Sequence, residues 1–596
     1  MPPNVIALHP AAEKKENLYN IIKMIHFKKL IITAIAVAAF AGAGAQNYVS
    51  PLDVATLQTS SNFGKLRSTR FHSGVDFRTE MVEGKKVFAV QKGYISRIGV
   101  KPYGYGNVVY VTHPDGRVSV YGHLSRFTPA VEKYVRAERY RLKKNTIDLF
   151  PSAGKFPVEQ GELIGWSGNT GNSFGPHLHF EIREPNGRTV NTIARGYYTV
   201  KDNLPPEIFK VYYYVVDTLQ GVPVHRRVAQ AATVKRDNTH YTLASDMVLP
   251  GKGYFSVETM DRKNDVSGSM TTYRIVLKVD DIPVCEYVMD GFLFDQNHCA
   301  KIVSDYRLNS TTSNDVFRLA LLNRCAANFY PHTVNNGLID PVSAANITIE
   351  VEDDSHNVSV LSFPVKYDPS GLKTLEVPDD TTPVDYRKNT SLSVGNLKVT
   401  IPADALYESM FYHHSRDPKS TSYKPMRGMV ILSDFYSLHD ASVPLRSPIV
   451  LSFAADVPEE LRSKVILVRA TDNGKYSAVS ASYSNGAVTG KASAFGTWCA
   501  AADTENPRIE PLFTSGDNLS NASRIGFRIS DNLAGVASYT VEVDGKWVLV
   551  EHDTVKSILY HYFDDELCGR SKTHSVKVTV TDGANNKTTY TGTYYR

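Results

Sequence analysis

The sequence predicts a mainly β protein built of several modules. Tyr is abundant (34 of 596 residues) and Trp rare (3), while Gly (39) and Pro (30) are spread along the chain. That is the composition of many short strands closed by tight turns. From Asn62 onward, apolar and β-branched runs also alternate with Gly-rich turns. At roughly 150 residues per domain the length corresponds to about four domains. Hydrophobic residues at 42% and charged residues at 21% argue against a wholly disordered chain and a multi-span membrane protein. Lys and Arg total 66 against 61 Asp and Glu, a formal +5. The excess is not gathered into basic blocks that track phosphate backbones, so no nucleic-acid partner is expected.

The first element is an export signal. Lys28 and Lys29 precede an apolar run from Leu30 to Ala45 that ends in Ala43-Gly44-Ala45 before Gln46. This is the pattern of a secretory signal peptide in 1–45, with Met24 as the expected start. The alternative, an uncleaved anchor, calls for roughly 20 apolar residues, so no membrane span is expected once the signal is removed. Removal of 1–45 takes away five Lys and two Glu, leaving 61 positive and 59 negative residues, a formal +2. The basic excess is largely targeting. The five cysteines (Cys285, Cys299, Cys325, Cys499, Cys568) are odd in number and lack CxxC spacing. They argue against a disulfide-dense scaffold or a zinc ribbon and leave open a pair among Cys285, Cys299 and Cys325.

Next comes a β domain over 46–200. Strands are expected at Lys86–Gln91, Gly93–Ile98, Asn107–Thr112 and Arg117–Tyr121. A charged stretch within 128–156, from Val131 to Lys144, has helical spacing and reads as an insertion. Its basic residues would form a solvated face or meet an anionic polymer. Asp202-Asn-Leu-Pro-Pro and Thr504-Glu-Asn-Pro look like matching module entrances, and Asp353-Asp-Ser-His-Asn and Asp582-Gly-Ala-Asn-Asn are turns before a last strand. β-sandwich-like modules are therefore expected at 203–368, 387–502 and 503–596, the last Ig-like, with a linker from Tyr367 to Tyr386. None shows a constellation of chemically useful residues.

The chemistry lies in three histidine clusters of the first domain: His72-Ser-Gly-Val-Asp76, Tyr121-Gly-His123-Leu and Gly175-Pro-His177-Leu-His179-Phe-Glu181. A catalytic zinc needs three converging N, O or S ligands and one open position, and two His with one Asp would serve. On an extended strand His177 and His179 share a face, with Cα atoms roughly 6.5 Å apart. His72 and Asp76 would lie roughly 13 Å apart on a straight strand, too far to share an ion, so the chain must bend, and Gly74 permits it.

These clusters, with Gly104-Tyr-Gly-Asn-Val-Val-Tyr-Val-Thr-His113 and Gly168-Asn-Thr-Gly-Asn-Ser-Phe-Gly-Pro, resemble the lysostaphin/LytM-like zinc metallopeptidases in order and local spacing over about 62–183. The resemblance implies a groove-forming, duplicated-hybrid-motif-like antiparallel β catalytic domain. It also implies one Zn2+ held by His72, Asp76 and His179, with His123 and His177 as catalytic histidines. The activity implied is endopeptidase cleavage of peptidoglycan cross-links or stem peptides, in a periplasmic, secreted or surface location that suits an export signal. Asn169 and Tyr105 are candidates to line the substrate groove.

Other readings are weaker. No His-Glu-x-x-His helix is present. Gly171-Asn-Ser173-Phe-Gly175 matches a serine-hydrolase pattern, but a strand pattern rather than a helix follows it, so Ser173 is expected to be loop structure. His113 sits in a His-Pro-Asp-Gly turn, and His413 and His414 are expected at the surface. Two rival functions stay open: a catalytically silent envelope regulator or binding protein, and a secreted zinc peptidase acting on protein. The carboxy-terminal modules are expected to position the enzyme, cover its groove or meet an envelope protein partner.

Overall fold

The computed structural model describes residues 48–67, 69–417, 423–471, 474–563 and 569–596. The signal segment and Cys568 lie outside the described residues. The chain is mainly antiparallel β, with 47% strand and 9% helix, as the turn-rich, Tyr-rich composition leads one to expect.

In the amino-terminal domain the principal sheet uses β1 (Thr59–Ser61), β2 (Val75–Arg78), β3 (Gly93–Val100), β4 (Asn107–Thr112), β5 (Val118–Leu124), β6 (Ile147–Leu149) and β7 (His177–Arg183). Their order is β1-β2-β7-β5-β4-β3-β6. β7 therefore sits between β2 and β5, although a long stretch of chain separates it from both. Alternation decides its two faces. Leu178, Phe180 and Ile182 are fully buried on one side, where Phe180 packs 5.9 Å from Phe77, 5.4 Å from Tyr121 and 5.6 Å from Tyr198 between ring centroids. Burying each such ring contributes roughly 1.5–3 kcal/mol. The opposite face carries His177, His179, Glu181 and Arg183.

The helical spacing of the insertion materialises as α1 (Pro129–Leu142), opened by Pro at its first turn and closed by Lys143 in the left-handed conformation. Its basic residues do not all face solvent. Arg139 is 5% exposed and donates to Asn145 O and, at 2.6 Å, to Glu551 of the last module. Tyr140 meets Trp547 edge-on at 5.5 Å, and Val550 N donates to Asn145 Oδ1.

After the first domain, strands within 207–367 form one sheet, those within 381–503 another, and 508–595 two four-stranded sheets. The last two enclose a core of Phe527, Val541, Leu559, Val578 and Tyr594. Strand Thr381–Val384 pairs with Met410–Asp417 and so falls inside the segment expected as linker. The sheet of the first domain continues into the next region, since Thr189–Val190 pairs with Gly291–Phe292. Cys285, Cys299, Cys325 and Cys499 are free thiols.

Candidate metal centre

Register brings the site together. In the β7–β2 ladder His179 lies opposite Asp76, and in the β7–β5 ladder it lies opposite Gly122. Directly opposed residues have Cβ atoms about 4.5–5.5 Å apart, close enough for two side chains to share an ion. Gly122 leaves the space open, because a Cβ there would stand 3.3 Å from His179 Cβ. His72 arrives from the segment before β2, which bends at Gly74. The bend uses no left-handed backbone; Gly74 is required because a Cβ would lie 2.4 Å from the Phe180 carbonyl oxygen.

Three atoms converge. His72 Nε2 is 3.0 Å from Asp76 Oδ1, His179 Nδ1 is 2.9 Å from the same oxygen, and the two nitrogens are 3.0 Å apart. The far side of each ring fixes its tautomer. His72 Nδ1 donates to Asn62 O at 2.9 Å, and His179 Nε2 donates to Glu181 Oε1 at 2.9 Å. Both inward nitrogens thus present lone pairs beside a carboxylate oxygen. Three acceptors so placed need a cation between them. Zinc bonds of about 2.0–2.1 Å at the tetrahedral angle set ligand atoms about 3.3 Å apart, so this N, N, O set fits zinc after opening by a few tenths of an ångström. Against the lowering effect of burial, hydrogen bonds to Asp76 and Glu181 push His179 up to about 9. Burial would raise Asp76, but His72, His177 and His179 hold it well below the carboxylate range.

His123 and His177 flank this centre, their rings 4.6 Å apart and His123 5.8 Å from His179. His123 has φ 61°, a left-handed residue whose strain is met by its N–H bonding Tyr105 O at 2.8 Å. Its Nδ1 donates to Thr170 O at 2.7 Å, leaving Nε2 as an acceptor. Burial, with His179 and His177 beside it, lowers its pKa to about 3, so the ring is neutral near pH 7. His177 is half-buried; its Nδ1 donates to Gly175 O at 2.8 Å, and its Nε2 lies 3.5 Å from Asp76 Oδ1.

Of the remaining sequence candidates, Asn169 is exposed beside this loop, and Tyr105 stands 5.1 Å from the His179 ring with its hydroxyl donating to Glu181. Ser173 Oγ donates to Gly175 O, and its loop runs into β7 rather than a helix. His113 is buried in its turn, 2.9 Å from Ser119 Oγ, and His413 and His414 are exposed. Sequence reasoning gave no role to Glu181, which is fully buried and takes hydrogen bonds from Ser73, Tyr105, His179 and Arg183. The period-2 run His177-x-His179-x-Glu181-x-Arg183 was the available signal.

Comparison with known proteins agrees with this geometry: the family model described as Peptidase family M23 matches residues 70–140 and 152–192. The chain carries an M23 peptidase domain. The unmatched gap in this M23 domain falls where α1 ends and the strand β6 begins. A Zu5-like domain matches 381–503. The M23 domain is 35% identical over 129 residues to the DD-carboxypeptidase/endopeptidase Mpg of Neisseria meningitidis, covering 22% of this chain and 24% of Mpg. It is 33% identical over 135 residues to lysostaphin of Staphylococcus staphylolyticus, covering 22% and 21%. The chain thus spans less than a quarter of the length of these relatives. Among solved structures, the catalytic domain of the prophage-encoded M23 protein EnpA from Enterococcus faecalis is 24% identical with a TM-score of 0.18, covering 25% of this chain and 95% of that one.

Proposed function

We propose that the M23 domain is a zinc-dependent endopeptidase that cleaves cross-links or stem peptides of bacterial peptidoglycan outside the cytoplasm. The observation that carries this reading is the convergence of His72 Nε2, Asp76 Oδ1 and His179 Nδ1 within 3.0 Å of one another, with two further histidines alongside. These three residues would hold the zinc. When bound, zinc supplies a Lewis acid that polarises the scissile carbonyl and makes water acidic enough to be deprotonated near pH 7.

The chain's own residues do the rest. His123, neutral and with Nε2 unprotonated, accepts the proton of the attacking water and returns it to the leaving amine. His177, less buried and with its ring 4.6 Å from that of His123, steadies the developing oxyanion. Asn62 O and Glu181 hold the ligand rings in one tautomer, and Thr170 O and Gly175 O do the same for His123 and His177. Peptidoglycan as the substrate comes from the family resemblance and from relatives such as the DD-carboxypeptidase/endopeptidase Mpg. Export is part of the proposal, supported by the signal pattern in 1–45. Among the described residues no helix is long and apolar enough to cross a membrane.

The test is mass spectrometry of muropeptides after zinc-loaded 46–596 acts on whole sacculi. Soluble muropeptides should be released, and both a chelator and His179→Ala should stop the release. Absence of release, or release that survives His179→Ala, would sink the proposal; cleavage of casein alone would move the substrate to protein.

A further inference from the structure

Two module entrances outside the M23 domain share a device. Asp202 lies on the connection leaving the M23 domain and Asp503 ends the strand Gly496–Asp503, each just ahead of a Pro-led strand. In the fold, carboxylate oxygens of Asp202, Asp261 and Asp353 lie within 4.8 Å of one another, and so do those of Asp503, Asp531 and Asp582. The third member is held the same way both times. Asp353 Oδ1 accepts from Ser355 N and Asn357 N at 2.8 and 2.9 Å, and Oδ2 accepts from Asn357 Nδ2 at 2.9 Å. Asp582 Oδ1 accepts from Ala584 N and Asn586 N, and Oδ2 from Asn586 Nδ2, all at 2.8 Å.

Both clusters also contain buried oxygens with nothing to bond. Asp261 is 0% exposed, and among the described residues neither of its carboxylate oxygens meets a donor, although one of them faces the other two carboxylates. At the second entrance Asp531 Oδ1 and Asn586 Oδ1 are buried without a donor, Asn586 being 3% exposed. Native interiors rarely leave such groups unpaired. Local cations do not account for them. Lys263 Nζ bonds Asp202 at 3.0 Å, Ser355 at 3.1 Å and Asp354, but not Asp261. Among the described residues, Asp503, Asp531 and Asp582 make no ion pair.

We infer that each entrance is a Ca2+ site, one held by Asp202, Asp261 and Asp353 and the other by Asp503, Asp531 and Asp582. The donors are all carboxylate oxygens, which suits a hard cation with a flexible shell and not zinc, and solvent can complete the six to eight ligands Ca2+ takes. Bound there, Ca2+ fastens each incoming connection to the module it enters. Exported modules of this kind bind Ca2+ with Kd values of about 0.1–1 mM. The alternative occupant is a proton: burial, with Asp353 and Asp354 nearby, holds Asp261 well above the usual carboxylate range.

The experiment is equilibrium dialysis of radioactive Ca2+ with zinc-loaded 46–596, alongside thermal unfolding. Two Ca2+ per chain are expected, one each for Asp261→Asn and Asp531→Asn, and none for the double variant, with zinc content unchanged. Ca2+ should raise the Tm of the wild type and leave that of the double variant in place. For the unaltered chain, Ca2+ should slow amide exchange at 200–205 and 503–507, which guards against variants that fail to fold. No bound Ca2+, a stoichiometry that the variants leave unchanged, Mg2+ binding in its stead, or exchange that ignores Ca2+ would overturn the inference. So would an Asp261→Asn chain that gains Tm in chelator while the wild type binds nothing.

Discussion

Gly74→Ala puts one methyl group where the candidate metal centre has no room. Its Cβ would stand 2.4 Å from the Phe180 carbonyl oxygen, 2.8 Å from His179 Cε1 and 2.9 Å from Glu181 Cγ. Ordinary contacts of this kind are about 3.4 Å, so the segment carrying His72 must retreat from β7 by up to about 1 Å, against a tolerance of about 0.2 Å in metal–ligand bonds. Overpacking of this sort costs about 1–3 kcal/mol of stability. A misplacement of 1 Å costs about 100-fold in turnover. The measurement is zinc per chain by mass spectrometry together with muropeptide release. Gly154→Ala is the control, because its Cβ would meet nothing within 4 Å and its effect should stay within about 0.5 kcal/mol. Full zinc content and turnover within twofold of wild type for Gly74→Ala would refute the reasoning.

Four further outcomes are expected. Glu181→Ala removes the acceptor of His179 Nε2 and should weaken zinc about 10–100-fold in a chelator competition. In the zinc-free chain, His123 has its pKa lowered to about 3 from about 6.5 unfolded, so the unfolded state takes the proton first. Its share of stability is intact above pH 6.5 and falls by about 2.7 kcal/mol by pH 4.5, a slope His123→Ala should remove from denaturant titrations. His179, raised to about 9, acts in the opposite sense: its contribution is complete below pH 6.5 and is lost as pH rises through 9. Arg139→Met leaves Glu551, with a side chain 46% exposed, to solvent and should cost about 1–2 kcal/mol, read as faster proteolysis between the last two modules.

The three histidine clusters were legible as motifs, and strand period placed His177 and His179 on one face. The proposed ligand set of His72, Asp76 and His179 came from the family resemblance, because spacing alone left His72 and Asp76 too far apart. α1 was legible from its period, its apolar residues recurring at helical intervals. What escaped was whatever depends on burial or on distant pairing. Glu181 reads as an ordinary strand-end carboxylate until β2 and β5 close around it. The bond from Arg139 to Glu551 joins residues 412 positions apart, beyond any local pattern. Asp531 opens an Asp-Asn-x-x-Gly turn, its Oδ2 accepting from Leu533 N and Gly535 N, and Asp261 lies in an isolated bridge with Met270, but only the fold places the two beside Asp582 and Asp353.

The pairing of β7 with β2 ties chemistry to folding. His179 faces Asp76 in one register alone; a slip of a single residue would present Leu178 to the site and turn His179 into the apolar layer with Phe77 and Tyr121. A chain whose strands have zipped one step out would therefore lack the ligand set altogether. On the proposed function, metal affinity in this domain would serve as a proofreading signal for strand alignment, because the three side chains converge only when the central ladder is correctly threaded.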